Sequence, residues 1–413
     1  MPVNSLFAQV LDEANRASPY PFYARLRKTP VVREDDGTYV ASTYAEIRNL
    51  LHDPRLSSAD RPKPLHAKTG NPIWDFIVNP IKDWIIENHR PFIFRDPPDH
   101  TRLRRLVMTQ FTAERVAQMK GRIHAIVDEL TGKMAGRKEI DLVKDFAYPL
   151  PVSVICELLG VPSGDHAKFQ KWSDSLVGVL DPQWQASEEE QFRTIADYEA
   201  LMRYLSGLIK AKRKRPADDI LSGLATFRDK KSGRMGKFDL LATAALLLVA
   251  GHETTVNLIA NGMLTLLRHP EWLERLRQNT ALAPQIVEEI LRFDPPVQFR
   301  TRKALADVAI AGTVIPSGAW VVLVFAAGNR DPIRFAHPER FDPGRGDNQH
   351  FGFGGGPHFC LGAQLARLET EIALAALATR LIRPRLIRDP PPYRPGASLR
   401  GPAQLMLEIE GIA

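Results

Sequence analysis

The sequence predicts a mainly α protein with small β-sheets, built on one long central helix with a smaller β-rich region. Three observations carry this. Apolar residues recur at three- and four-residue steps through 112–134, 153–161, 193–215 and 283–293, the period of an amphipathic helix. One further stretch, 239–268, is apolar nearly all round, the pattern of a helix buried on every side. Short β-rich stretches, "DVAIAG" and "AWVVLVFAAG", return only late in the chain. No internal repeat and no Gly/Ser-rich linker divides the 413 residues, so 1–413 is expected to form a single domain.

At the amino terminus, "MPVNSLFAQVLDEANR" lacks the apolar core of a signal peptide. "PVVRE" and "TYVAS" then bracket Asp35-Asp36-Gly37, a hairpin signal. Helical periodicity dominates up to the central stretch, "DLLATAALLLVAGHETTVNLIANGMLTLLR", which His269-Pro270 ends. A helix of that length spans about 45 Å. Its longest apolar run, 240–250, contains a threonine and is too short to cross a bilayer. Its middle carries Gly251, His252, Glu253, Thr254 and Thr255. Polar groups at the centre of a buried helix are costly unless paired or used. Proline-rich loops tie the last third of the chain, where "LGAQLARLETEIALAALATRLI", from Leu361 onward, reads as a helix.

Apolar residues make up 44% and charged residues 25%, an ordinary balance for a soluble globular protein. The formal charge of +7 raises the question of nucleic acid. The basic residues are dispersed, however, and the densest run, "KAKRKRPADD", turns acidic at once and reads as a solvated helix end. A basic patch for an acidic protein partner is consistent with the charge. Two cysteines, Cys156 and Cys360, make no disulfide framework, and no CxxC suggests zinc. A cytoplasmic protein with no membrane anchor and no nucleic-acid partner is the expectation.

Cys360 has an unusual setting. "FGFGGGPHFCLGAQ", 351–364, places it behind three consecutive glycines and before a helix. A thiolate, not a thiol, binds metals. A helix amino terminus, with its unpaired N–H groups and positive dipole end, stabilises an anion. Gly354, Gly355 and Gly356 let the backbone turn tightly and aim amides at the sulfur, and Gly362 lets a flat ligand approach. Such hydrogen bonds and burial tune a haem iron held by a thiolate. Cys156, inside "SVICELLG", lacks this context and is assigned to the core.

Phe353-Gly-Gly-Gly-Pro-His-Phe-Cys360-Leu-Gly362 resembles the haem-binding signature of the cytochrome P450 monooxygenases. Other segments match as well. "AGHETT", 250–255, is similar to the family's oxygen-activation segment, and "EEILR" holds its Glu-x-x-Arg pair as Glu289 and Arg292. "HPERF", 337–341, resembles the segment that donates a further arginine to that pair, and "DPPDHTRLRRLV", 96–107, the helix at the haem edge. The resemblance runs from about residue 19 to the end. It implies a cytochrome P450-like fold around haem b (iron protoporphyrin IX).

The resemblance makes Cys360 the axial iron ligand. It sets Ala250, Gly251, Phe353, Gly354 and Gly362 against the haem, with Gly251 widening the helix groove for oxygen. Thr254 would pass a proton to bound O2, and Glu253 would feed protons from solvent. The bland alternatives are a Thr254 hydroxyl bonded to the preceding turn and a Glu253 held in a structural salt bridge. His100, Arg104, Arg302 and His358 stand where the family supplies cations to the haem propionates, with Arg300 a rival to Arg302. Arg340 best fits the third member of the Glu289–Arg292 lock, with Arg345 its rival. By analogy the substrate pocket draws on Trp74, Phe94, Leu246, Leu247, Val297, Phe299 and Gln404.

The implied reaction inserts one oxygen atom from O2 into a small apolar organic molecule, as a hydroxylation or related oxidation. Electrons would come from NAD(P)H through a ferredoxin reductase and a 2Fe-2S ferredoxin, and the protein would act as a monomer. A peroxide-driven haem enzyme is one alternative, although such relatives typically lack the acid–alcohol pair present here. A non-catalytic haem-based sensor or ligand carrier is the other, and it would not require Glu253 beside Thr254.

Overall fold

The computed structural model describes residues 5–59, 90–166, 168–169, 172, 187–228 and 233–413. The hairpin expected around Asp35-Asp36-Gly37 forms from β1 (Val31–Arg33) and β2 (Tyr39–Ala41), antiparallel with Val32 opposite Val40. Gly37 turns it at φ 85°, a left-handed conformation that suits glycine. These strands open a five-stranded sheet of order β1-β2-β5-β4-β3, with β3 at Leu56–Ser57, β4 at Arg300–Ala304 and β5 at Trp320–Leu323. Strand β2 runs parallel to β5, and the other neighbours are antiparallel. The late stretch "AWVVLVFAAG" is only half strand. After Leu323 it becomes a short helix, Phe325–Gly328, where Gly328 lets Ile47 and Phe351 pack closely.

The helices that position the site are α1 (Tyr44–His52), α2 (Asp99–Met108), α3 (Pro149–Leu159), α4 (Glu188–Lys214), α5 (Lys237–Arg268), α6 (Ala283–Phe293) and α7 (Ala363–Arg380). Helix α5, 32 residues long, crosses the main core and packs on α3, α4, α6 and α7. It is also long and apolar enough to cross a membrane, yet 78% of its most apolar stretch lies inside the fold. The all-round apolar pattern is therefore that of a core helix. Helix α4 begins with a capping box, in which Ser187 and Glu190 exchange side-chain-to-backbone bonds. Cys156, as expected, is fully buried in the core, and burial pushes its thiol up to about 12.

Candidate active site

The cysteine loop is shaped by two left-handed glycines, Gly354 at φ 70° and Gly356 at φ 62°. A Cβ on Gly356 would stand 2.2 Å from the Leu51 carbonyl oxygen, so a side chain there would displace α1. The Cys360 N–H donates to the Phe353 carbonyl at 3.0 Å and closes the loop. Arg367 from α7 caps the Phe353 ring, its guanidinium carbon 4.5 Å from the ring centre. Helix α7 starts at Ala363 with Gly362 as its cap, so Cys360 stands just ahead of the helix rather than in its first turn. The Gly362 N–H nevertheless reaches the sulfur. Beside Gly362 a Cβ would meet nothing within 4 Å, which leaves open space next to the thiol.

Burial pushes the Cys360 thiol up, against the pull of the Gly362 N–H, Arg104 and Arg367. A bound metal cation would favour the thiolate, because coordination deprotonates a thiol outright.

Next to this loop, four basic side chains converge from three directions. His100 and Arg104 lie one turn apart on α2, Arg302 comes from β4, and His358 precedes the cysteine. The His100 and His358 rings are 4.1 Å apart, and Arg104 Nη2 donates to the Phe359 carbonyl at 2.7 Å. Burial, followed by Arg302, His100 and Arg104, drives His358 down to about 3. Burial and Arg300 lower Arg302 to about 10. Asp96, the acid whose charge acts on His100 and Arg302, already accepts from Ser57 and from the Ser58 N–H. Both ring nitrogens of buried His100 lack a hydrogen-bond partner among the described residues. A buried polar atom without a partner is uncommon and asks for one. The arrangement therefore fits a group that brings negative charge here and a metal to Cys360, which a haem with its two propionates does. Arg300 turns elsewhere and donates to Ser398 Oγ at 3.2 Å.

In the middle of α5 the Thr254 hydroxyl donates back to the Ala250 carbonyl at 3.2 Å. Glu253, 1% exposed, is ion-paired through Oε1 with Arg394, 141 positions along the chain. No local spacing reveals that partner. His252 Nδ1–H donates to the Leu248 carbonyl at 2.7 Å, and its Nε2 lies 4.0 Å from Glu253 Oε2. Gly251, expected to open a groove for oxygen, also faces a neighbouring helix. A Cβ there would stand 3.0 Å from Ile155 Cγ1, so the missing side chain makes room for α3.

The Glu289–Arg292 pair is fully buried, with Arg292 Nη2 and Nε donating to the two carboxylate oxygens at 2.7 and 2.8 Å. Arg340 is not its third member. Its side chain makes no bond to Glu289, and its carbonyl accepts from Arg292 Nη2 at 3.1 Å. The Arg345 guanidinium reaches Glu289 Oε1 at 3.1 Å and also bonds the carbonyls of Ala336, His337 and Arg340. The bend after Phe341 brings position 345 back over the carboxylate, which a match to "HPERF" does not foresee.

The expected pocket residues are only partly together. Trp74 lies outside the described residues. Phe299 packs edge-on against Phe7, with centroids 5.3 Å apart, in a separate core cluster. Leu246 and Leu247 are buried in the main core, and Gln404 is exposed. Phe94 sits half-buried in a short 3-10 turn, and Val297 bridges Leu399. A small apolar cavity against α5 is lined instead by Leu248, Val249 and His252 with Ile155, Cys156 and Trp172.

Comparisons with known proteins agree with this geometry. The family profile described as Cytochrome P450 matches residues 75–381. The chain is 40% identical over 401 residues to the cytochrome P450 monooxygenase PikC of Streptomyces venezuelae, covering 93% of this chain and 89% of that protein. It is 35% identical over 398 residues to the 6-deoxyerythronolide B hydroxylase of Saccharopolyspora erythraea, covering 95% and 96%. Its fold matches the ligand-free crystal structure of Mycobacterium smegmatis CYP164A2 with a TM-score of 0.85 and 38% identity, over 98% of this chain and 99% of that one. A glycine-shaped cysteine loop beside a nest of basic groups, in this fold and with these relatives, shows that the chain belongs to the cytochrome P450 monooxygenases.

Proposed function

We propose that the chain is a single haem b domain that oxidises a small apolar organic molecule, by hydroxylation or a related reaction. In this reading O2 is the oxidant, and electrons come from NAD(P)H through a ferredoxin reductase and a 2Fe-2S ferredoxin. The protein works as a cytoplasmic monomer. The observation that carries the reading is the pairing of Cys360, in its closed loop, with the four basic groups beside it.

Cys360 would hold the iron, and His100, Arg104, Arg302 and His358 would hold the propionates, the two arginines suiting carboxylates by their forked donors. When bound, haem supplies the redox and oxygen-transfer chemistry. The protein's own part is to hold the substrate, exclude water and manage protons. Thr254 carries a hydroxyl that can give one proton as it receives another, once its bond to the Ala250 carbonyl is released. Glu253, buried one residue before it, is the acid that resupplies that proton. The relatives named as a monooxygenase and a hydroxylase support the reaction class.

Cys360→Ser tests the assignment. The variant is expected to lose the absorption band that thiolate-ligated haem gives when reduced under carbon monoxide. Survival of that band unchanged would remove Cys360 as ligand.

A further inference from the structure

Resting on the reading of Cys360 as the iron ligand, we propose that Arg367 sets how readily the iron accepts an electron, with Glu288 holding its guanidinium over the Phe353 ring. Two neighbouring acids on α6 have different duties. Glu289 faces Arg292 and Arg345, while Glu288, about 100° round the helix, meets α7. There Arg367 Nε and Nη2 donate to the two Glu288 oxygens at 2.5 and 3.0 Å. This forked contact fixes the plane of the guanidinium. Its carbon stands 4.5 Å from the centre of the Phe353 ring, and the carbonyl of the same Phe353 accepts the Cys360 N–H. Helix α6, helix α7 and the cysteine loop therefore meet through Arg367.

His350 completes the set. The Gly352 N–H donates to its Nδ1 at 3.0 Å, so the ring is neutral and its Nε2–H points to Glu288 Oε2, 3.2 Å away. Against burial, the bonds from His350 and Arg367 hold Glu288 down to about 2. Carboxylate and guanidinium are thus both charged at neutral pH.

Arg367, with Arg104, places positive charge where it acts on the Cys360 sulfur. Reduction of ferric to ferrous iron takes one electron, from the ferredoxin of this reading, and breaks no bond. It adds one negative charge to the iron–thiolate unit. A cation nearby makes that charge less costly and raises the reduction potential. Glu288 offsets part of the effect. The two side chains are 31% and 32% exposed, so water and salt damp it further. Arg367 is a positioning residue here, since it acts on the iron through its field at the sulfur.

Mediator titration of the purified haem-loaded protein, at low salt and without ferredoxin, reads the potential directly. Arg367→Gln is expected to lower the ferrous-to-ferric ratio at a fixed electrode potential at least threefold, about 28 mV for one electron. Glu288→Gln is expected to raise the ratio, because the cation loses its counter-charge. Arg367→Lys, which keeps the charge without the fork, should fall between Arg367→Gln and the parent. Arg383→Gln, at an exposed arginine paired with Glu410, is the control and should leave the ratio unchanged. Opposite signs at 367 and 288 set charge apart from packing, since loosening the pair from either side would shift both variants alike. Shifts of one sign, no shift in Arg367→Gln, or an equal shift in Arg383→Gln would overturn the proposal. If Arg367→Gln does not fold, Glu288→Gln and Arg367→Lys decide by the same signs. The carbon monoxide band of each variant separates the two ideas. If Cys360→Ser keeps that band, the ligand reading fails; if the band is lost there while Arg367→Gln keeps both band and parent potential, only the role of Arg367 fails.

Discussion

His358 lies against His100 with ring centroids 4.1 Å apart and planes inclined by 36°, so two imidazoles share a site already flanked by Arg104 and Arg302. Neither ring gains from a proton there. Burial leads the depression of both, and neighbouring positive charge adds to it.

The haem-free protein is therefore expected to lose stability as pH falls from 6.5 towards about 3. In that window the unfolded chain binds a proton at position 358 and the fold does not, so acid favours unfolding. One such group gives a slope of at most about 1.4 kcal/mol per pH unit, and partial exposure of the ring keeps it lower. Denaturation midpoints measured across the window, with and without His358→Gln, check this; the substitution should flatten the slope.

Arg345→Ala is expected to destabilise the protein by about 3 kcal/mol or more, because it removes a charged partner of fully buried Glu289. Arg340→Ala should stay within about 0.5 kcal/mol, since only its carbonyl serves the cluster and alanine keeps it. Urea denaturation of the two variants gives the comparison. Equal losses would contradict the assignment.

At Gly251 two effects oppose each other. Alanine in a helix interior gains about 1 kcal/mol over glycine, but overpacking a core costs about 1–3 kcal/mol. With Ile155 Cγ1 at 3.0 Å and Cδ1 at 3.1 Å from the new methyl, the clash is expected to prevail. Removing Cδ1 by Ile155→Val should make Gly251→Ala milder by about 1 kcal/mol, the size of a contact coupling. Thermal unfolding of the four combinations measures that coupling.

Thr254→Ala is expected to retain haem and substrate binding while diverting electrons from product to hydrogen peroxide. The ratio of product to NAD(P)H consumed, with peroxide assayed in parallel, measures it. Unchanged coupling would remove the Thr254 hydroxyl from proton management and leave it as a cap on the Ala250 carbonyl.

Much of the architecture was legible because it is written locally. The β1–β2 hairpin follows from Asp35-Asp36-Gly37 between apolar alternations, and α5 follows from an apolar surface without a polar stripe. The cysteine loop was legible for the same reason: two glycines must take left-handed dihedrals, and few other residues do so cheaply. The pocket was less legible. Phe299 and Val297 sit two apart on one extended stretch, yet one joins the Phe7 cluster and the other bridges Leu399. Composition could not say which layer each would meet.

From the order of its residues alone, this chain determined where its helices run, where the backbone turns and which thiol stands at the turn, since each depends on neighbours a few positions apart. The fold decided which charges meet: Arg345 rather than Arg340 on Glu289, Arg302 rather than Arg300 beside His358, and Arg394 on Glu253. Charge pairing over such separations depends on the path of the backbone and the direction of a long side chain at its end. Both are set only when the core closes.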